Sequence, residues 1–297
     1  MRVLLLPVWN ERGTVLATLD AAASEVDRMI VLDDGSTDGS AELVQGWMGR
    51  AEVPMDLLRH ARNQGLASAI LTMLAYLLRL QRDGVLLASD QVAIMDADGQ
   101  HRAQDFAKLD EYLRCGAYDV VVGARDLRMY PPYKRVGNRL LSAWASLLSG
   151  QRYADAECGL RLFRVAAVSA LLTYCAGFRY SIAQEMCVVL PPLGYRVRGD
   201  VPVSIAHYRQ GARFRDGFAN LTFGLWAAVR VRLRWGYDPL RRAEAMLSVV
   251  SVVRSSGGRQ GAATASPIDG VQVGSGTPRE AAVMLVDRER RGASPYL

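Results

Sequence analysis

The sequence predicts an α/β fold: a mostly parallel sheet with helices on both of its faces. Three observations lead there. Short apolar runs are too uniform to alternate between a wet and a dry face, stretches of helical length separate them, and a polar cluster closes each run. The 297 residues suffice for one large α/β domain or two small ones, with a sizeable core.

The elements follow in order. "RVLLLP" (2–7) and "RMIVLDD" (28–34) read as strands flanking a helix over 13–26. "MDLLRH" (55–60) is a third strand after a helix over 38–49, and a strongly apolar helix covers 65–80. "VAIMDA" (92–97) and "YDVVVGA" (118–124) are strands joined by the helix "AQDFAKLDEYLRCG". Right-handed crossovers put the C-terminal ends of such strands on one edge, where ligands bind. The clusters "PVWNE", "DDGSTDGS", "HARNQG", "DADGQH" and "GARD" all fall there, which predicts a single long cleft. Beyond residue 125 come a Pro-rich loop and an amphipathic helix ("YPPYKRVGNRLLSAWASLLSG"), helices over 166–176 and 181–190, and an extended segment, "YRVRGDVPVSIAHYR". Three regions result. Residues 1–214 form the main domain, and 215–254 a basic amphipathic segment suited to a lipid interface or to packing on the domain. Residues 255–297, rich in Gly, Ser, Ala, Pro and Arg without periodicity, are expected to be disordered.

Charge and cysteine content narrow the function. Lys plus Arg total 36 against 30 acidic residues, a net charge of +6 that favours anionic partners. Only Lys108 and Lys134 are lysines; arginine suits bidentate phosphate contacts, although base composition of the genome also explains the bias. No nucleic-acid-binding motif accompanies the charge. Cys115, Cys158, Cys175 and Cys187 form no CxxC pair, consistent with free thiols in a reducing cytosol. The opening residues lack a signal-peptide pattern, and no run reaches the roughly 18 apolar residues of a membrane span.

Each cluster supports a chemistry and a blander alternative. Asp96 and Asp98 flank one residue, so an extended backbone turns both to one side. Mg²⁺ or Mn²⁺ would neutralise them and keep substrate phosphates as further ligands, with Gln100 as a neutral third oxygen; the alternative is a solvated Asp-Gly turn. His101 contacts a phosphate or is simply exposed. Asp33 and Asp34 end a buried strand and suit hydrogen bonds from a base or ribose, whereas Ser36 or Thr37 caps the next helix. Arg62, or the helix N-terminus behind it, faces an anion or plain solvent. Pro7, Asn10 and Glu11 form a rigid polar turn, or Asn10 is a helix cap.

Taken together, "LPVWNE", "VLDDGSTDGS", "RNQGLASA", "IMDADGQH", "VVGARD", "KRVGNRLLS", "DAECGLRLFR" and "GDVPVSIAHYRQGARFR" resemble the family 2 glycosyltransferases of GT-A fold, in the polyprenyl-phosphate (dolichyl-phosphate) mannose or glucose synthase branch. The likeness runs from residue 1 to about 215 in the family's own order. It implies a catalytic domain over 1–214, a UDP- or GDP-hexose donor, Mg²⁺ or Mn²⁺, and an inverting transfer. By resemblance, Pro7, Asn10, Glu11, Asp33, Asp34 and Arg62 surround base and ribose with Asp96 and Ala97, and Asp96, Asp98 and Gln100 hold the metal. Arg125 and Arg135 handle the diphosphate, and Arg135, Arg209 and Arg213 the acceptor phosphate. Asp155 matches an aspartate near the sugar, and Gln184 and Glu185 a late acidic motif. Two departures bear on the acceptor: Asp200 stands where the family has Glu, and the motif around Arg209, Gly211, Arg213 and Arg215 lacks its Ser-Lys.

Many relatives also end in transmembrane hairpins. Here the resemblance implies instead a peripheral enzyme at the cytoplasmic face of a membrane, open to a separate membrane-protein partner. Transfer to a hydroxyl acceptor, with Asp155 or Glu185 as base, and a silent sugar-nucleotide-binding protein are the competing readings.

Overall fold

A computed structural model describes residues 1–207, 214–257 and 264–266. The apolar runs become strands β1 (Arg2–Val8), β2 (Arg28–Asp33), β3 (Met55–His60), β4 (Gln91–Ile94) and β5 (Val120–Arg125), followed by β6 (Arg161–Arg164), β7 (Val197–Val203), β8 (Val250–Ser255) and β9 (Thr264–Ser266). They form one nine-stranded sheet in the order β7-β5-β6-β4-β1-β2-β3-β8-β9. β4, β1, β2 and β3 are mutually parallel, and β5 and β7 run with them because each of the pairs β4·β6 and β5·β6 is antiparallel. The ends of these six strands therefore share one edge, as the sequence predicts.

Helices α1 (Val15–Ala23), α2 (Ser40–Met48), α3 (Leu66–Arg82) and α4 (Asp105–Arg114) supply the crossovers. Those expected over 13–26 and 38–49 are shorter because side chains of residues 10–14 and 36–40 bond across to each other's loops. α3 is buried almost all round, as its apolar sequence requires. Pro7 sits in a central strand, where proline normally breaks a ladder. It is tolerated because β4 pairs with β1 only as far as Leu5, so Pro7 lies beyond that ladder.

The remaining helices are α5 (Pro132–Ser149), α6 (Val168–Tyr174), α7 (Ile182–Val189), α8 (Phe214–Arg232) and α9 (Pro239–Leu247). α8 packs against α5 and α7 through a seam at Asp216, Asn220, Gly224, Ala227, Ala228 and Val231. Its other side leaves Phe218, Leu225 and Trp226 exposed.

Two expectations need correction. The stretch 215–254 is more than a basic amphipathic segment: Val250–Ser255 is β8, which pairs antiparallel with β3. The valines at 249, 250, 252 and 253 carried that strand signal. The tail expected to be disordered contains β9, which pairs with β8; the rest of that expectation lies outside the described residues.

Candidate active site

The cleft edge is assembled loop by loop. After β1, Asn10 adopts a left-handed backbone (φ 54°). Its side-chain oxygen accepts from Thr37 N at 2.9 Å, while its own amide donates to Ser36 Oγ at 3.0 Å. Glu11 N donates to Ser40 Oγ at 2.8 Å. Ser36 and Ser40 therefore tie the first two strand-end loops together; Ser36 and Thr37 do not cap α2, whose N-cap is Gly39. The Thr14 hydroxyl lies 3.0 Å from Glu11 Oε2 and 2.9 Å from the Ala97 carbonyl, joining the first loop to the fourth.

Asp33 and Asp34 are adjacent and buried but differ in environment. Asp34 accepts from Gln64 N at 2.9 Å and Gly65 N at 2.7 Å, and lies 2.6 Å from His60 Nδ1. The anion at the N-terminus of α3 is thus the protein's own carboxylate, and Ala67 N donates to the Arg179 carbonyl at 2.8 Å. These three amides at the start of the helix are therefore taken by the protein's own groups. Asp33 accepts from Ser36 N at 3.2 Å, but its Oδ2 is buried without a hydrogen bond, 3.5 Å from Arg59 Nε. Arg62 is exposed beside this corner. Gly35 (φ 66°) makes the approach possible, because a Cβ there would lie 2.6 Å from the Arg62 Cα.

Asp96 and Asp98 end β4 and are both half-buried. Burial pushes the Asp96 carboxyl above the usual carboxylate range; Arg125 and Arg161 oppose this, and the Glu11 charge adds to it. Asp98 Oδ1 accepts from Gln100 N at 3.0 Å. Gln100 turns its amide nitrogen to the His207 carbonyl at 3.0 Å, and Ala206 N donates to the Gln100 carbonyl at 2.9 Å. His101 is buried rather than exposed, and burial with the nearby Arg125 charge lowers its pKa to about 4, so the ring is neutral. Among the described residues no three His, Cys, Asp or Glu side chains cluster as a complete metal cage. Two hard carboxylates without a third suit a Mg²⁺ or Mn²⁺ ion that takes its other ligands from substrate phosphates and water.

The opposite wall is the turn 155–159. Asp155 and Arg125 form a buried bidentate pair, Nε to Oδ2 at 2.6 Å and Nη2 to Oδ1 at 3.0 Å. The Asp155 charge holds the Arg125 guanidinium well above its ordinary range despite burial. Arg125 Nη1 approaches Tyr130 Oη at 3.4 Å, and Arg135 Nε donates to the Tyr130 carbonyl at 2.8 Å. Arg161 fixes the turn from below by donating to the carbonyls of Ala156 and Cys158. Gly159 lies directly against Asp96: an added Cβ would fall 2.8 Å from the Asp96 Cγ.

The late acidic motif, Gln184 and Glu185, bonds to the protein's own backbone. Glu185 is fully buried and accepts from Ala176 N, Gly177 N and Ser181 Oγ, so it holds the 176–181 loop. Gln184 donates to the Leu141 carbonyl at 3.0 Å. Arg209 and Arg213 lie outside the described residues. Thr14, His60 and Glu157 escaped the sequence reading, although Thr14 follows the "WNE" cluster, His60 opens "HARNQG" and Glu157 lies within "DAECGLRLFR".

Comparison with known proteins agrees with this fold. A model described as "Glycosyl transferase family 2" matches residues 3–175. A UDP-N-acetylglucosamine–dolichyl-phosphate N-acetylglucosaminyltransferase of Methanococcus voltae is 25% identical over 67% of this chain and 83% of that one. An undecaprenyl-phosphate 4-deoxy-4-formamido-L-arabinose transferase of Pseudomonas syringae pv. syringae is 28% identical over 66% of this chain, which spans 59% of that longer protein. Among solved structures, the glucosyl-3-phosphoglycerate synthase of Mycobacterium tuberculosis with Mn²⁺ and UDP-glucose superposes with a TM-score of 0.54, at 16% identity over 78% of each chain, which supports the fold.

Proposed function

Because the chain belongs to glycosyl transferase family 2, we propose that it moves a hexose from a nucleoside-diphosphate sugar to a polyprenyl phosphate, with inversion at the anomeric carbon. In the reaction an acceptor phosphate oxygen bonds to C1 of the sugar as the bond from C1 to the diphosphate breaks. The electron pair leaves with the nucleoside diphosphate. A divalent cation, when bound, disperses the charge arising on that leaving group.

The chain's own residues do the rest. The free oxygen of Asp33, with Asn10, Glu11 and Arg62 around it, suits the nucleoside, and Asp34 keeps that corner in shape. Asp96 and Asp98 would hold the cation, with Gln100 and Ala97 fixing their turn. Arg125, locked by Asp155, and Arg135 present positive charge to the phosphates. Arg209 and Arg213 are assigned to the acceptor phosphate on sequence alone. Relatives named for dolichyl- and undecaprenyl-phosphate acceptors support this choice of acceptor class.

One observation carries the choice between acceptors. A hydroxyl acceptor needs a base, yet both candidates for it are engaged: Asp155 gives both oxygens to Arg125, and Glu185 is buried under backbone amides. A phosphate oxygen is already anionic at neutral pH and needs only positioning. The exposed Val136, Leu140 and Leu147 of α5 and Phe218, Leu225 and Trp226 of α8, with Arg139 and Arg232 beside them, support peripheral contact with a lipid surface. Among the described residues no helix is long and apolar enough to cross a membrane.

The test incubates purified protein with radiolabelled UDP- and GDP-hexoses, Mn²⁺ or Mg²⁺, and a short polyprenyl phosphate. Label should enter an organic-extractable product that mild acid releases. Label appearing on hydroxyl acceptors alone would overturn the reading.

A further inference from the structure

The turn 155–159 touches the site at both ends, through Asp155 on Arg125 and through Gly159 on Asp96. Between them Glu157 points away, toward α8, where its Oε2 accepts from Asn220 Nδ2 at 2.7 Å. Asn220 is almost fully buried in the α8 seam. The remaining oxygen of each side chain, Glu157 Oε1 and Asn220 Oδ1, is buried and lacks a hydrogen-bond partner. Two buried acceptors left over from one contact are costly unless a hydrogen lies between them. A carboxylic acid supplies that hydrogen where a carboxylate cannot.

We propose that Glu157 is held as the neutral acid and closes a two-bond acid–amide pair with Asn220, positioning the Asp155–Gly159 turn against α8. This inference rests on the glycosyltransferase reading for its effect on turnover, but not for the pair itself. It makes Glu157 a positioning residue that acts through Asp155 and Asp96. It also links the catalytic wall to the helix whose outer side carries Phe218, Leu225 and Trp226. The surroundings agree. Burial raises the Glu157 pKa to about 7, opposed by Arg161 of β6, Arg125 of β5 and the hydrogen bond from Asn220, and assisted by Asp155. From α7, the buried Cys187 thiol faces the same group and is itself pushed up. Because the folded-state pKa lies above the ordinary value, the pair's stabilisation is present at low pH and is lost as pH rises through about 7.

Glu157→Gln supplies the missing N–H permanently and is isosteric, whereas Glu157→Ala removes both bonds. Unfolding midpoints of the three proteins are measured from pH 5.5 to 8.5, alongside kcat and donor KM for sugar transfer. The wild type should lose stability across this range more steeply than Glu157→Gln. Its kcat should show a descending limb with an apparent pKa near 7, absent in Glu157→Gln, with donor KM little changed. Glu157→Ala should lower kcat at every pH, and the Gln variant should rescue it. Identical pH dependence of unfolding in wild type and Glu157→Gln would overturn the pair. A loss of about 10³-fold in Glu157→Gln at unchanged stability would make Glu157 a proton-transferring group and overturn the positioning role. The unfolding series needs no substrate, so failure to find any transfer would count against the glycosyltransferase reading alone.

Discussion

Gly159→Ala tests whether the Asp96 carboxylate must sit where it does. Gly159 has no left-handed backbone requirement, so alanine introduces no strain of its own there. The new methyl would lie 2.8 Å from the Asp96 Cγ and closer still to Oδ2. Ordinary contact between such atoms is roughly 3.5 Å, so the carboxylate has to retreat by about 1 Å. Because the obstacle is the end of a side chain, the fold should lose only about 1–2 kcal/mol, the lower range for overpacking. A displacement of that size in a positioning group costs about 10²-fold in rate. The assay pairs chemical unfolding with titration of Mn²⁺ and nucleoside diphosphate, and with turnover. The expected result is near-native stability with donor binding and turnover reduced about 100-fold. Native Mn²⁺-dependent donor binding and turnover in a folded Gly159→Ala protein would refute the placement of the cation at Asp96.

Other consequences are open to direct measurement. Asp155→Ala strands the buried Arg125 charge and should cost about 3–5 kcal/mol in denaturant unfolding, whereas the double variant Asp155→Leu/Arg125→Met should recover most of it. Asp98→Ala should abolish turnover in the presence of Mn²⁺, and in the wild type EDTA should remove donor binding, with added Mn²⁺ restoring it, as followed by fluorescence of a labelled nucleotide. Replacing Phe218 and Leu225 by Ser, both exposed, should leave the unfolding free energy within about 1 kcal/mol of wild type while weakening sedimentation with anionic vesicles.

The parallel-sheet logic was legible because it depends on local runs: "RVLLLPVWNE", "RMIVLDD" and "VAIMDADGQ" state both the strand and the polar group at its tip. The differing fates of Asp33 and Asp34 were not legible. Two neighbouring carboxylates look alike in sequence, and only the arrival of Gln64 and Gly65, thirty residues on, claims one of them. The partners of Glu185 were hidden for another reason: they are local, but a sequence does not say that a carboxylate will fold back onto the amides of the loop preceding its own helix. The role of Glu157, although it lies within "DAECGLRLFR", was not legible because its partner Asn220 is 63 residues away in a stretch read for its surface. β8 was legible in principle; its valines were absorbed into a segment defined by arginines.

The return of the chain to the sheet at β8 has a mechanical result. α8 and α9 are tethered at both ends, with the body of the molecule before them and a six-residue pairing to β3 after them. They cannot swing like a flexible arm. A bilayer that captured Phe218 and Trp226 would capture the whole rigid body at one tilt, so the angle at which the cleft meets the lipid would already be written into the sheet.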